Sequence, residues 1–349
     1  MKILQLVGSP TNDFYAKLSL LYAKDAIDAL SVNDRYTFII AYISDKGWRF
    51  PSSLKQEDLD RAEVLTLAQG IDKIQQMKPD LALPQMFCLA GMTTYRSLLE
   101  LLNIPYIGNK AYLMALTANK AHTKTIVANA GVKVPKGELL YKNARPILTP
   151  PVVVKPIDAD NSIGVSLVRE EAEYDPALQI AFSHSDRVLV EEFISGREVR
   201  CGILQLQDEL LCLPLEEYAL DDRYPIRTVE NKIKTTTAGE LSFAAKDPSK
   251  SWIISPDLDD LTPKVWEAAC KCHRALDCRH YSLFDFRISK EGEPYFLEAG
   301  LYCSFSPKSV IVTMAANYGM KLTILFDKMV ASITESKRSL PESVEGRKS

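Results

Sequence analysis

The chain reads as an α/β protein, with a parallel, helix-flanked N-terminal sheet followed by regions richer in antiparallel strands. Three observations predict this. Its 349 residues are 46 % hydrophobic and 25 % charged, which is ordinary globular composition and excludes a disordered or fibrous chain. At roughly 100–200 residues per domain, that length implies two or three packed units. The first hundred residues alternate strand-like apolar runs with helical periodicity, the rhythm of a parallel sheet covered on both faces. Beyond Gly131 the strands follow one another more closely, which is an antiparallel texture.

Lys2–Val7 is a continuous apolar run that ends at Gly8-Ser9-Pro10, and Leu20, Ala23, Ile27 and Leu30 then recur at helical spacing. Tyr36–Ile43 is β-branched and aromatic and ends at the turn Asp45-Lys46-Gly47. A polar helical stretch reaches Met77, Asp80–Pro84 is a short strand, and Leu98–Leu102 closes a helix before Ile104–Gly108. Ligands of such sheets bind at the loops beyond the strands' C-terminal ends. A helix is expected from about Lys110 to Ala130, with Gly131 just past its end. Pro151–Lys155, Arg187–Glu192, Val199–Leu204 and Leu210–Leu213 read as strands. Tyr218–Pro256 is polar and reads as a long loop, and long loops inside compact domains are usually functional. Thr262-Pro263 opens a helix, where a missing N–H costs nothing. Tyr281–Ile288 and Tyr295–Glu298 form a hairpin about Lys290–Glu293, and the charged tail after about Ser336 reads as frayed.

A net charge of −3 offers no broad basic surface for a nucleic-acid backbone. The first apolar run is too short for a secretory signal. No window approaches the 18 apolar residues of a membrane span. Seven scattered cysteines fit reduced thiols and a cytoplasmic setting better than a disulfide framework. Cys270 and Cys272 stand roughly 200° apart on a helix and cannot converge on one zinc ion. The nucleophile elbow of α/β-hydrolases and the P-loop are both missing.

Several residues carry possible chemistry. Lys120 and Lys124 lie one helical turn apart, where like charges repel slightly; an anion between them relieves that repulsion, unless the pair simply marks a solvated face. Lys155 ends a buried strand, an expensive place for an unpaired cation. The following Asp160-Asn161-Ser162-Ile163-Gly164 could wrap phosphate oxygens with its amides. The alternative is a snorkelling Lys above an ordinary turn. Glu191 and Glu198 flank a strand–turn–strand, suited to an amino group and ribose hydroxyls or, equally, to guarding a sheet edge. Asp285 and Glu298 sit inside apolar runs on adjacent strands. Two facing carboxylates there require a proton or a cation such as Mg2+, which commonly combines one or two carboxylates with nucleotide phosphates.

No piece is diagnostic alone, but the order is: paired-Lys helix, VVKP strand and small-residue loop, EEFISGREV, Lys-bearing loop, FDF, FLE. That order resembles the ATP-grasp carboxylate–amine ligases of the D-alanine–D-alanine ligase group, from Lys2 to about Met320. The resemblance implies an ATP-grasp fold: an N-terminal domain over 1–108, a central one over 109–190 and a C-terminal one over 191–336, with 337–349 as tail. It implies ATP and Mg2+ as cofactors. Lys120 and Lys155 would hold phosphates and the loop with Asn161 and Ser162 would close over them. Glu191, Glu192, Phe193 and Ile194 would border adenine, Glu198 would bind ribose, Lys232 would come from a lid loop, and Asp285 and Glu298 would hold Mg2+. Ser309 matches a contact to a substrate carboxylate. Partners would be small-molecule substrates, with no nucleic acid or membrane and a possible homodimer.

The departures fall on the amino-acid side, except that the Asn lost at Gly300 is a metal ligand in the family and leaves one or two Mg2+ ions open. Lys17 stands where the family has an acid, Ala90-Gly91-Met92-Thr93 replaces GEDG, Leu283 replaces an Arg, Gly300 an Asn and Ile233 a Tyr. A cation at Lys17 implies a first substrate without a free amine. With PQMFCL, CRHYSLFDF and LEAGLYCSF, the pattern looks like the branch that joins mycosporine-glycine to serine or threonine in making mycosporine-like amino acids. The competing expectations are a D-alanine–D-alanine ligase of cell-wall synthesis and a non-catalytic ATP-binding sensor.

Overall fold

The computed structural model describes residues 1–32, 34–221, 225–227, 233–235, 241–243 and 249–338. It divides into two compact units. One comprises Met1–Gly108, Gln205–Leu211 and Cys303–Ser349, and the other Asn109–Leu204 and Cys212–Tyr302.

In the first unit Lys2–Ser9 is the central strand, pairing in parallel with Thr37–Ser44 on one side and Leu81–Pro84 on the other. Gly47–Arg49 folds back antiparallel on the outer edge. Being central explains the continuous apolar run: Ile3, Leu4, Leu6 and Val7 are all buried, as in strands covered on both faces. The helix Asp13–Leu30 starts at Asn12, whose side chain accepts the Tyr15 amide at 3.0 Å. Buried Gln5 and Gln85 hydrogen-bond each other, and Gln85 also donates to the Ser304 carbonyl, tying the returning chain to this sheet. The C-terminal helix Leu322–Arg338 runs two residues past the expected break at Ser336, and the tail beyond it lies outside the described residues.

The second unit holds two larger antiparallel sheets and a two-stranded one. Four strands run in the order Gly137–Tyr141, Arg187–Glu192, Val152–Pro156, Ser166–Val168. The helix Tyr174–Phe182 buries Ala177, Leu178 and Ala181 against their apolar face. The larger sheet runs Ser251–Ile253, Glu216–Tyr218, Gly196–Leu206, Tyr281–Ser289, Pro294–Ala299, with Glu209–Cys212 also pairing Gly196–Leu206. Its Phe284, Phe286 and Phe296 are fully buried.

Two expectations need correction. The single helix over 110–130 is two, Ala111–Thr117 and Lys120–Asn129. Asn119 turns extended between them, and its side chain accepts the Ala121 and His122 amides at 3.0 and 3.1 Å, restarting the helix. The stretch 218–256 is not simply a loop. Ser251–Ile253 returns to pair with Glu216–Tyr218, and Ile233–Thr235 pairs with Leu241–Phe243.

Candidate active site

The smaller sheet, the Lys120–Asn129 helix and the larger sheet of the second unit together line one cleft. Lys120, Lys155, Ser162, Glu191–Ile194, Glu198, Asp285 and Glu298 all border it, with Val153, Ile226 and Leu297 as apolar walls.

Strand register explains the cationic end. Glu191 lies opposite Val153, one diagonal step from Lys155 on the same face. Its carboxylate is 2 % exposed, with Oε2 2.5 Å from Lys155 Nζ and Oε1 2.6 Å from Lys124 Nζ. Burial works to raise the Glu191 carboxyl, but the two ammonium groups outweigh it and hold it below its ordinary value. Burial, reinforced by the nearby Lys155 charge and only partly offset by Glu191, pushes Lys124 down to about 8. Lys124 also donates to the Phe296 carbonyl at 3.2 Å. Lys120 donates to the Ala159 carbonyl at 2.5 Å and stands 4.0 Å from Glu298 Oε2. The like-charge repulsion read from the sequence is thus relieved by carboxylates of the protein itself. Three ammonium groups facing one carboxylate and the edge of another still leave a site suited to a polyanion.

The acidic end follows from the larger sheet. Glu216 lies opposite Arg200, Arg200 opposite Asp285, and Asp285 opposite Glu298, so four charged residues on four strands form one row. One step along, Glu198 faces Arg287. The register slips between Asp285 and Phe286. That bulge lets consecutive Leu297 and Glu298 both reach the cleft, where a regular strand would turn one away. Arg200 grips Asp285 with Nε at 2.6 Å and Nη2 at 3.2 Å. Arg287 lies 3.0 Å from the second oxygen of Glu198. Arg227 bridges the rows: it donates to Glu198 and, at 2.7 Å, to Asp285 Oδ2. Its guanidinium lies 3.9 Å from the centre of the Tyr218 ring. Although burial works the other way, Glu198, Tyr218 and Asp285 raise the Arg227 pKa further.

Asp285 and Glu298 fit Mg2+ of the kind that completes its shell with phosphates and water. Among the described residues no three acidic, His or Cys side chains cluster into a self-sufficient cage. The apolar walls beside two lysines fit a nucleotide.

The remaining candidates are distributed as follows. Phe193 and Ile194 line the cleft beside Glu192, which accepts the Lys136 amide at 3.1 Å. Asn161 and Ser162 both take left-handed backbone, with φ of 58° and 61°. Ser162 reaches the cleft lining and Asn161 does not. Lys17 is exposed on the Asp13–Leu30 helix and Ser309, in contact with Cys303 at 3.5 Å, heads the Val310–Asn317 helix, both in the first unit. Lys232 lies outside the described residues. Sequence reading missed Arg200, Arg227 and Arg287. The alternation Glu198/Arg200 and Asp285/Arg287 was the available signal, since residues two apart share a face.

The family described as "D-ala D-ala ligase C-terminus" matches residues 126–331. A D-alanine–D-alanine ligase from Maridesulfovibrio salexigens is 31 % identical over 239 residues, spanning 67 % of this chain and 74 % of that protein. Another, from Ruminiclostridium cellulolyticum, is 28 % identical over 302 residues, 80 % of this chain and 75 % of its own. The solved VanG D-Ala:D-Ser ligase from Enterococcus faecalis superposes with a TM-score of 0.74 at 24 % identity, covering 95 % of this chain and 99 % of that one. The Bacillus anthracis D-alanine–D-alanine ligase complexed with ATP superposes at 0.70 with 21 % identity, covering 97 % and 99 %. These superpositions show a shared ATP-grasp fold.

Proposed function

Given that the chain belongs to the D-alanine–D-alanine ligase family, whose members are ATP- and Mg2+-dependent ligases, we propose that it joins the carboxylate of D-alanine to the amine of a second amino acid. The observation that carries this is the cleft in which Lys120, Lys155, Asp285 and Glu298 converge. Lys120 and Lys155 would neutralise the phosphate tail, and Glu191 would act through Lys155, fixing it and Lys124 in place. Phe193 and Ile194 would flank the base, and Glu198 would take ribose hydroxyls. Asp285 and Glu298 would hold Mg2+, which, when bound, neutralises charge on the transferring phosphoryl group. The family's reaction activates the carboxylate as an acylphosphate, which the amine then attacks with release of phosphate. The protein's part is to position the reactants and meet developing charge with preorganised cations. Lys232, as a lid-loop group at the nucleotide, and Ser309, as a contact to a substrate carboxylate, belong to the same proposal, as do the three-domain division at 108 and 190 and a homodimer.

A second reading has specific support. Exposed Lys17, with Leu283 where the family has an Arg, suits an acceptor that lacks a free amine, such as mycosporine-glycine, joined to serine or threonine. One experiment separates the readings: phosphate release from ATP with D-alanine alone, against mycosporine-glycine plus L-serine. Turnover with D-alanine supports the first reading. Turnover only with the second pair overturns it. In either case Glu298→Gln should abolish ADP formation; retained ADP formation would remove Glu298 from the proposed metal pair.

A further inference from the structure

We propose that Cys212 and Cys270 are a redox-active thiol pair that closes reversibly to a disulfide when it meets a small-molecule disulfide. This site lies apart from the nucleotide cleft and does not depend on the ligase reading.

The two sulfurs are 3.4 Å apart and share a hydrogen bond, joining the Glu209–Cys212 strand to the Thr262–Ala275 helix. The approach is held by the backbone. Trp266, one helical turn before Cys270, donates its indole N–H to the Leu213 carbonyl at 2.9 Å, and the Leu213 amide is held by the Gly202 carbonyl at 2.9 Å. The same helix face therefore meets the same stretch of chain at two successive points, and the thiols are the second. Both are partly exposed, whereas Cys88, Cys201, Cys272, Cys278 and Cys303 are buried.

Reactivity separates along the same line. The hydrogen bond shared with Cys212 brings Cys270 down to about 7, with help from Arg274, although burial opposes it. That bond, together with burial, raises Cys212, so the pair has one nucleophile and one proton-bearing partner. Burial pushes the thiols of Cys201, Cys272, Cys278 and Cys303 up.

The step balances with a disulfide such as oxidised glutathione. The Cys270 thiolate attacks one sulfur and expels a glutathione thiolate. Cys212 then attacks the Cys270 sulfur of the mixed disulfide, loses its proton to the expelled thiolate and forms the protein disulfide. Two protein thiols are oxidised and one small disulfide is reduced to two thiols. The closed loop would span residues 213–269, the stretch that carries Arg227 into the cleft.

The test uses the full chain. It is incubated with oxidised glutathione near pH 7, remaining thiols are alkylated, and an unreduced digest is read by mass spectrometry. A Cys212–Cys270 linked peptide, lost on adding dithiothreitol and accompanied by a raised melting temperature, is the expected result. Cys212→Ser should instead accumulate a glutathione adduct on Cys270, because the resolving thiol is gone. Cys270→Ser should give neither product. In the untreated parent, Cys270 should alkylate at least about tenfold faster than the five buried cysteines. No 212–270 link, a link through another cysteine, or equal alkylation of Cys270 and Cys272 would overturn the proposal.

Discussion

The charge count around Glu191 makes an unequal prediction for two neighbouring substitutions. One buried carboxylate serves two buried ammonium groups, at 2.6 and 2.5 Å. Glu191→Gln removes the carboxylate that both share and leaves Lys124 and Lys155 facing each other. Removing one partner of a buried pair costs about 3–5 kcal/mol. Lys155→Met leaves Glu191 matched one-to-one with Lys124 and keeps the apolar stem, so it should cost less than about 2 kcal/mol. Nucleotide binding should show the reverse order. Lys155→Met should lose the proposed phosphate contact and weaken MgATP, while saturating MgATP should raise the urea midpoint of Glu191→Gln more than that of the parent, by supplying anion to the bared lysines. Urea unfolding with linear extrapolation and calorimetric titration of MgATP measure both. If Glu191→Gln unfolds within about 1 kcal/mol of the parent, or Lys155→Met proves the less stable, the shared-carboxylate argument fails.

Further outcomes follow from single contacts. Arg227 occupies an oxygen of Asp285 and one of Glu198, so Arg227→Gln should lower the half-saturating Mg2+ concentration at fixed ATP by about tenfold, one charge-assisted bond's worth; an unchanged or higher value counts against Asp285 as a metal ligand. At Gly196, φ is +143° and an added Cβ would lie 1.9 Å from the Ile288 carbonyl oxygen. Gly196→Ala should therefore destabilise by at least about 2 kcal/mol, read by thermal unfolding. His273, 2 % exposed and hydrogen-bonded to Ser282 at 2.8 Å, is pushed down to about 4, chiefly by burial. The unfolded chain binds that proton and the folded one does not between about pH 6.5 and 4. Stability is therefore lost as pH falls through this window, by up to about 3 kcal/mol, and His273→Gln should show a correspondingly shallower acid loss in urea midpoints at pH 7, 5.5 and 4.

How far the sequence reveals this molecule depends on whether a signal is local. Lys2–Ser9 is legible because a strand buried on both faces is almost wholly apolar, Thr37–Ser44 because it is β-branched and aromatic, and Lys155 because a cation inside an apolar run demands a partner. What cannot be read is who the partner is. Glu191 looks like a group at the nucleotide's edge, since its neighbours in sequence are Phe193 and Ile194. Only the pairing of Arg187–Glu192 with Val152–Pro156 turns it toward the lysines. The break at Asn119 escapes notice for a related reason. Lys110–Ala130 keeps good helical residues throughout, and the interruption comes from a capping side chain and from the Lys120 amide donating to the Ile157 carbonyl at 2.9 Å.

The two ends of the cleft differ in sensitivity. At the lysine end, two of the cations share a single carboxylate, so the charges do not cancel in pairs and an incoming phosphate tail finds positive charge to meet. At the acidic end Asp285 is held by Arg200 and Arg227, and Glu198 by Arg227 and Arg287, so an incoming cation must compete with guanidinium groups already in place. Polyanion binding at the first end needs no rearrangement, whereas use of Asp285 and Glu198 at the second needs Arg227 to move. Nucleotide without metal should therefore bind through the lysine end, and the dependence on Mg2+ should change when the Arg227 contacts are removed.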